Sequence, residues 1–270
     1  MHINPYFLGS DGSVDVSGAG LSYLVSRALG IAEEMASIAV IGAVADRQDF
    51  LGELQGTNRL ILSHAEAAGL VREEKDVLLF GRESRPLHVA LSSFQDPPIP
   101  GVTGSEAGAL ELLSLLNIPA RNSEGFRTLR DLSEEERRRL ATEIVVRCAS
   151  TVPPSVVRYV PRLVIGSVYR MVHEESPLEY ASEFASFLNA SVRMGRVEDA
   201  VSLLRGDRGD ALQTLRRTVN EYRRAISSEI RKLSLEGVRT GPRGMLQYFV
   251  SRTLPAELLG PVTGLLIGTG

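Results

Sequence analysis

An apolar stretch, Gly42-Ala43-Val44-Ala45, runs directly into the polar cluster Asp46-Arg47-Gln48-Asp49. A carboxylate fixed at the end of an apolar helix suits a hard divalent cation such as Mn2+ or Mg2+, which takes oxygen ligands. Phosphodiester hydrolysis by paired metals needs several Asp and His side chains around ions about 4 Å apart. The histidines, His2, His64, His88 and His173, have no second His or Asp at ligand spacing. No Asp-x-Asp pair ends an apolar strand, and Asp11 and Asp15 flank a glycine turn at a spacing that fits no ligand motif. Two readings of Asp46 therefore stand: a metal ligand, or a helix-end carboxylate paired with Arg47 or another arginine.

Three groups of arginines come next. Phe80-Gly81-Arg82-Glu83-Ser84-Arg85-Pro86 follows a short apolar run. Loops beyond strand ends are where α/β proteins bind ligands, so Arg82 and Arg85 either hold phosphate or are neutralised by Glu83. Asn189-Ala190-Ser191-Val192-Arg193-Met194-Gly195-Arg196 closes a helix; Arg193 and Arg196 share a face there, and the helix dipole alone favours cations at that end. Arg217, Arg224 and Arg231 recur every seven residues with Arg216 and Arg223 beside them. Such a row either tracks a nucleic-acid backbone or forms a solvated face with Glu221 as a partner. A Gly-rich phosphate loop, a nucleophile elbow and a Cys/His dyad are all missing, and Gly18-Ala19-Gly20 is too short to signal a nucleotide.

The elements that would position these residues are mostly helical. Ser17 caps a helix to about Leu29, an apolar helix covers 32–45, and a third covers 58–68 before Gly69. Val77-Leu78-Leu79-Phe80 reads as a buried strand. A short helix follows Pro86, and then Pro97, Pro98 and Pro100 forbid regular structure. Helices are expected at 104–116 and 133–150, the latter with a Ser133/Glu136 capping box. Pro153-Pro154 and Pro161 mark a second break. Helices over 178–194, 198–204 and 210–235 are followed by strands at 238–240 and 246–250 around a Gly241–Gly244 turn, and an apolar segment runs from Leu254 to Gly270.

Composition bounds the rest. The 270 residues are 43% hydrophobic and 23% charged with a net charge of −3, which supports a folded core and excludes wholesale disorder. Cys148 is the single cysteine, so neither an internal disulfide nor a cysteine zinc cage can form. Only Lys75 and Lys232 are lysines, so 28 of the 30 basic residues are arginine (30 − 2). Arginine suits bidentate phosphate contacts, but the overall charge is not basic, and genome composition is the plainer cause. No apolar run approaches the roughly 20 residues of a membrane span and no signal peptide is evident; a cytoplasmic location is expected. The apolar last element calls for a covering neighbour.

These fragments occur in a familiar order. Gly9-Ser10-Asp11-Gly12 with Ser17-Gly18-Ala19-Gly20 resembles the segment after the DHH motif of archaeal RecJ-like proteins. Gly42–Asp49 resembles their fourth metal-ligand motif. Phe80–Leu87 and Asp96–Gly104 are similar to two further blocks. Asn189-Ala190 with Arg193–Arg196, continued by Gly206-Asp207-Arg208-Gly209, resembles the start of the DHH-associated substrate-binding domain.

The resemblance implies a helix-rich α/β fold with few strands. It implies the C-terminal part of a DHH phosphoesterase-like domain over 1–100, a helical interdomain region over 101–176, and a partial DHH-associated domain over 177–270. Members of this family are Mn2+- or Mg2+-dependent single-strand exonucleases, and archaeal relatives associate with GINS and the MCM helicase. Asp46 then corresponds to a metal ligand, and Arg82, Arg85, Asn189, Arg193 and Arg196 face single-stranded DNA. The family's Asp-x-Asp, next Asp and DHH triplet would precede Met1, and its Gly-Gly-Gly-His would follow Gly270. The expectation is therefore a non-catalytic accessory protein of DNA replication or repair that binds single-stranded DNA and GINS or MCM. The alternative is a 5′ to 3′ exonuclease completed by another segment or chain.

Overall fold

A computed structural model describes residues 3–31, 33–95, 97–241 and 244–267. The chain divides into two compact units, Met1–Ala185 and Ser186–Gly270.

The first unit opens with a helical layer. α1 (Gly18–Ala28) starts where Ser17 Oγ accepts from the Gly20 amide at 3.0 Å. α2 (Ala36–Ala45) is entered through a 3-10 turn, Glu33–Met35. α3 (Gly56–Ala67) ends at Ala68 and turns on Gly69, φ +69°. α1 and α2 cross closely, because a Cβ on Gly42 would lie 2.4 Å from the Ala19 methyl. The glycine of the Gly42–Asp49 block thus answers to helix packing and sets where Asp46 stands.

β1 (Val71–Val77) pairs antiparallel with β4 (Ile165–Met171), from Val71 opposite Met171 to Val77 opposite Ile165. The apolar run Val77–Phe80 is therefore not the strand. The strand is the charged Val71-Arg72-Glu73-Glu74-Lys75-Asp76-Val77, and the chain leaves the sheet at Leu78, whose amide still donates to Val164 O at 2.8 Å. Only the two end valines are buried. The pairing rests on backbone bonds and side-chain ions, so it leaves no hydrophobic period to read.

Between the two strands lie α4 (Leu87–Ser92), α5 (Glu106–Leu115), a hairpin of β2 (Arg121–Asn122) and β3 (Gly125–Phe126), and α6 (Glu134–Ala149). The short α7 (Pro154–Val157) and α8 (Val160–Val164) follow, each with proline in its first turn. The Ser133/Glu136 capping box is present. The Pro97–Gly104 turn is irregular and closed by Thr103, whose Oγ1 donates to Phe94 O at 2.6 Å and accepts from Ile99 N at 2.7 Å; Asp96 lies outside the described residues. This turn is not a seam. Ile99 and Val102 sit in one hydrophobic cluster with Leu79, Leu87, Leu113, Leu140, Ile144 and Val164. Cys148 fills part of the same core, where burial pushes its thiol up to about 11 and makes it a space-filler rather than a nucleophile.

α9 (Ala181–Arg193) carries the chain across the division. The second unit continues with α10 (Val197–Leu204), α11 (Asp210–Glu236), the two-residue strands β5 (Arg239–Thr240) and β6 (Gln247–Tyr248), and α12 (Ala256–Ile267). Ile226 and Leu233 of α11 pack with Val262 of α12. Pro242, Arg243 and 268–270 fall outside the described residues. The fold is helix-rich α/β, and its sheets among the described residues are three antiparallel pairs.

Candidate functional site

Asp46 caps the C-terminus of α2, and the turn behind it is a Schellman motif. Arg47 adopts φ +56°, its amide donates to Val44 O at 3.0 Å, and the Gln48 amide donates to Ala43 O at 3.0 Å. A left-handed residue that is not glycine costs about 1 kcal/mol. The turn leaves Asp46 and Arg47 exposed and drives Gln48 inward to 1% exposure.

Gln48 and Asn58 then form a polar node in which every side-chain N–H donates and each amide oxygen accepts. Gln48 Nε2 donates to Gly12 O at 3.0 Å and to Asp46 Oδ2 at 3.1 Å, while its Oε1 accepts from Asn58 Nδ2 at 2.6 Å. Asn58 Nδ2 also donates to Val14 O at 3.2 Å, and its Oδ1 accepts from the Ser17 amide at 3.2 Å. The node ties the glycine-rich 9–20 segment, the end of α2 and the start of α3 into one piece. A fully satisfied buried network of this kind specifies geometry. Asp46 thus has an amide partner, and among the described residues no arginine pairs with it. Neither Gln48 nor Asn58 stands out in the sequence, since a single buried amide carries no pattern.

The half-buried Asp49 differs from its neighbour. Burial, opposed by the charge on Arg47, pushes its carboxyl up to about 6. A carboxylate whose folded pKa exceeds its unfolded value favours folding below about pH 4 and loses that contribution as pH rises through about 6. Asp49→Asn is accordingly expected to stabilise the protein by roughly 1 kcal/mol at pH 7.5, discounted for partial solvation, with almost no gain at about pH 3. Thermal melts of the two proteins at both pH values check this; an equal gain at both would rule out the charge as the cause.

The structure separates the two arginines of the 80–87 block. Arg82 is buried at 2% exposure, pairs with Asp76 of β1, and lies over the Tyr180 ring at 4.2 Å. Arg137 of α6 reaches the same Asp76 oxygen at 3.0 Å. A guanidinium held this way presents no donor fork to a DNA strand; its role in this conformation is to clamp β1, the 80–85 loop and α6. Glu83 is not the partner of Arg82, which Asp76 takes. It pairs with Arg130 at 2.9 Å, and Arg130 also reaches Glu179 at 3.3 Å. The Glu83 amide and the Ser84 hydroxyl both donate to Glu183, at 3.2 and 3.0 Å. Burial, reinforced by Glu179 and Glu183, raises the Glu83 carboxyl above its ordinary range. Arg85 is half-buried and stacks at 4.8 Å on Phe80, which is 47% exposed. Gly81, φ +82°, is required here because a Cβ would meet the Arg85 stem at 2.5 Å.

In the second unit the turn on Gly195, φ +72°, closes α9 and brings three predicted residues to one place. Asn189 is exposed one helical turn before Arg193. Arg193 is half-buried, and its Nη1 donates to Glu257 O at 3.4 Å. Arg196 is exposed at the start of α10, its amide donating to Ser191 O at 2.7 Å.

The DHH-CID domain family matches residues 79–160. These are the residues that enclose the core cluster between β1 and β4. Over these residues the chain is similar to the DHH-CID domain family. An uncharacterized protein of Methanocaldococcus jannaschii, MJ0831, is 21% identical over 256 residues, which cover 93% of this chain and 53% of that protein. The crystal structure of CDC45 from Entamoeba histolytica matches with a TM-score of 0.62 and 12% identity, over 91% of this chain and 54% of that one. The chain thus spans about half the length of these relatives, and at this identity the structural likeness speaks for the fold.

Among the described residues no group of three or more His, Cys, Asp or Glu side chains could hold a metal ion. Asp46 brings a single carboxylate to this place, and the partner of its Oδ2 is the Gln48 amide. The described residues do not by themselves fit a two-metal site. Among them, no helix is long and apolar enough to cross a membrane.

Proposed function

We propose that this chain serves DNA replication as a RecJ-related accessory protein, binding single-stranded DNA without hydrolysing it and contacting GINS or the MCM helicase through its DHH-CID domain. The observation that carries this reading is the likeness to CDC45 along 91% of the chain, joined to the DHH-CID match at 79–160. The DNA contacts are assigned to the exposed end of α9, with Asn189, Arg193 and Arg196, and to the Arg85–Phe80 stack, where a guanidinium and an exposed ring offer phosphate and base contacts. Arg82 is left out because it is buried against Asp76. The protein works in the cytoplasm on this reading.

The test has two arms. Immobilised protein is expected to retain purified GINS or MCM, and absence of both would sink the accessory role. Arg193→Gln with Arg196→Gln is expected to weaken binding to a fluorescent oligothymidylate about tenfold, the loss of two phosphate contacts at low salt. A second reading, a metal-dependent 5′ to 3′ exonuclease completed by other ligands, rests on the exposed Asp46 carboxylate that Gln48 orients. Mn2+-dependent degradation of single-stranded DNA that disappears in Asp46→Ala would replace the first reading with the second.

A further inference from the structure

The arginine row of α11 belongs to none of the sites above. Arg216, Arg217, Arg224 and Arg231 are exposed and Arg223 is half-exposed. From Arg216 to Arg231 the row extends about 22 Å at 1.5 Å per residue. On this face Gln213 precedes the row and Asn220 and Ser227 lie within it, all exposed. The helix also carries carboxylates, some beside the row and some away from it. Glu229 is buried on the opposite side with Lys232 at 4.0 Å, and Glu221 flanks the row on its Lys232 side. Among the described residues Arg216, Arg217, Arg224 and Arg231 form no ion pair. The exposed acids beside the row are Glu221, four residues after Arg217 and three before Arg224, and Asp210, seven before Arg217, so five arginines face two carboxylates.

We infer that this face of α11 is a binding surface for the phosphate backbone of a nucleic-acid strand. Three features favour a strand over an acidic protein. The cations form a long regular row, which a polyanion can engage along its length. The interleaved amides and hydroxyl can donate to phosphate and sugar oxygens. The face from Gln213 to Arg231 has no apolar or aromatic anchor of the kind protein interfaces are built on. The assignment goes beyond the α9 reading, sharing with it only the class of ligand. It lies on a different helix and involves none of the same side chains.

The experiment uses the full chain, a fluorescent oligothymidylate and anisotropy titrations over a range of salt. The triple variant R217Q/R224Q/R231Q is expected to bind at least tenfold more weakly at low salt. Its plot of log affinity against log salt is expected to be shallower by about 2, three phosphate contacts at roughly 0.7 each. A charge-matched triple in the first unit, R138Q/R158Q/R162Q, controls for net charge and is expected to stay within about twofold of the parent, and circular dichroism melts control for folding. An α11 triple that binds like the parent overturns the inference and leaves the α9 assignment standing. Equal losses in both triples reduce the effect to net charge and overturn it too. A loss confined to a glutamate-rich peptide probe, with oligothymidylate binding intact, would identify the face as a protein contact instead. A parent protein that binds no oligothymidylate ends both this inference and the DNA part of the proposed function.

Discussion

Asp76→Ala is expected to lower the stability of the first unit by about 3–5 kcal/mol, the range seen when one partner of a buried ion pair is removed. Asp76 accepts from Arg82 and from Arg137 through Oδ2, and from the Val77 amide at 2.7 Å through Oδ1. The Arg82 side chain is 3% exposed and Asp76 10%. Without the carboxylate, a buried guanidinium faces Tyr180 and a second arginine with no counter-charge. Both guanidinia already leave their Nε atoms without a partner, so little spare hydrogen bonding exists to absorb the loss. Urea unfolding with tryptic cleavage as a second readout measures the effect. Asp76→Asn keeps the shape and the acceptor for Val77 but removes the charge, and is expected to recover less than half of the loss. The double variant Asp76→Leu with Arg82→Met removes both charges and is expected to be more stable than Asp76→Ala. A double variant no better than the single would mean that shape, not charge, holds the clamp.

The same cluster shows what could be read in advance. Caps and breakers were legible because their signals are local. Ser17 and Ser133 accept from the amides three residues on, Gly69 and Gly195 turn left-handed, and the prolines at 154 and 161 open short helices. Most helices lie within about two residues of their expected ends, while the 178–194 helix begins at Ala181. β1 and β4 were not legible. β1 carries charge at five successive positions, from Arg72 to Asp76, and at the centre of the ladder Glu74 faces Val168, 94 residues away (168 − 74). Long-range pairing of two half-solvated strands leaves no periodicity in either one.

The site was legible to a different degree at each residue. Asp46 could be singled out because it ends an apolar helix, and it stands exposed there. Its real neighbour, Gln48, was invisible as a partner because the Arg47 turn that aims it inward depends on a backbone conformation that arginine rarely adopts. Arg82 and Arg85 looked equivalent, being three residues apart after the same apolar run. Tertiary structure splits them: one closes on Asp76, and the other stacks on its own Phe80. A charge on a loop does not say that a carboxylate six residues before it (82 − 76) will be shared with a helix arginine 61 residues beyond that carboxylate (137 − 76).

Arg127→Met is expected to destabilise the DHH-CID domain by about 2–3 kcal/mol at pH 7, at the low end for a broken buried pair because some solvent reaches it. Arg127 sits just after β3 and grips Glu136 with both nitrogens, at 2.9 and 2.7 Å; it also donates to Asp131 O at 2.6 Å and Pro119 O at 3.3 Å. The two side chains are 11% and 16% exposed. Glu136 is at once the acid of the capping box on α6, so the variant unpins that helix start as well as the 119–131 loop. The cause can be isolated by pH. The Arg127 guanidinium holds the Glu136 carboxyl down at about 2, against an ordinary 4.5. A depressed carboxyl contributes stability that is fully present above the unfolded value and is lost as pH falls through the folded one. The gap between parent and variant in urea should therefore be widest above pH 5 and shrink toward pH 2. A gap that stays constant over that window would assign the loss to packing of the methylene stem. If the proposed GINS or MCM contact lies on this domain, Arg127→Met should also weaken retention of the partner at temperatures where the domain begins to melt, while oligothymidylate binding at the α9 and α11 sites of the second unit persists.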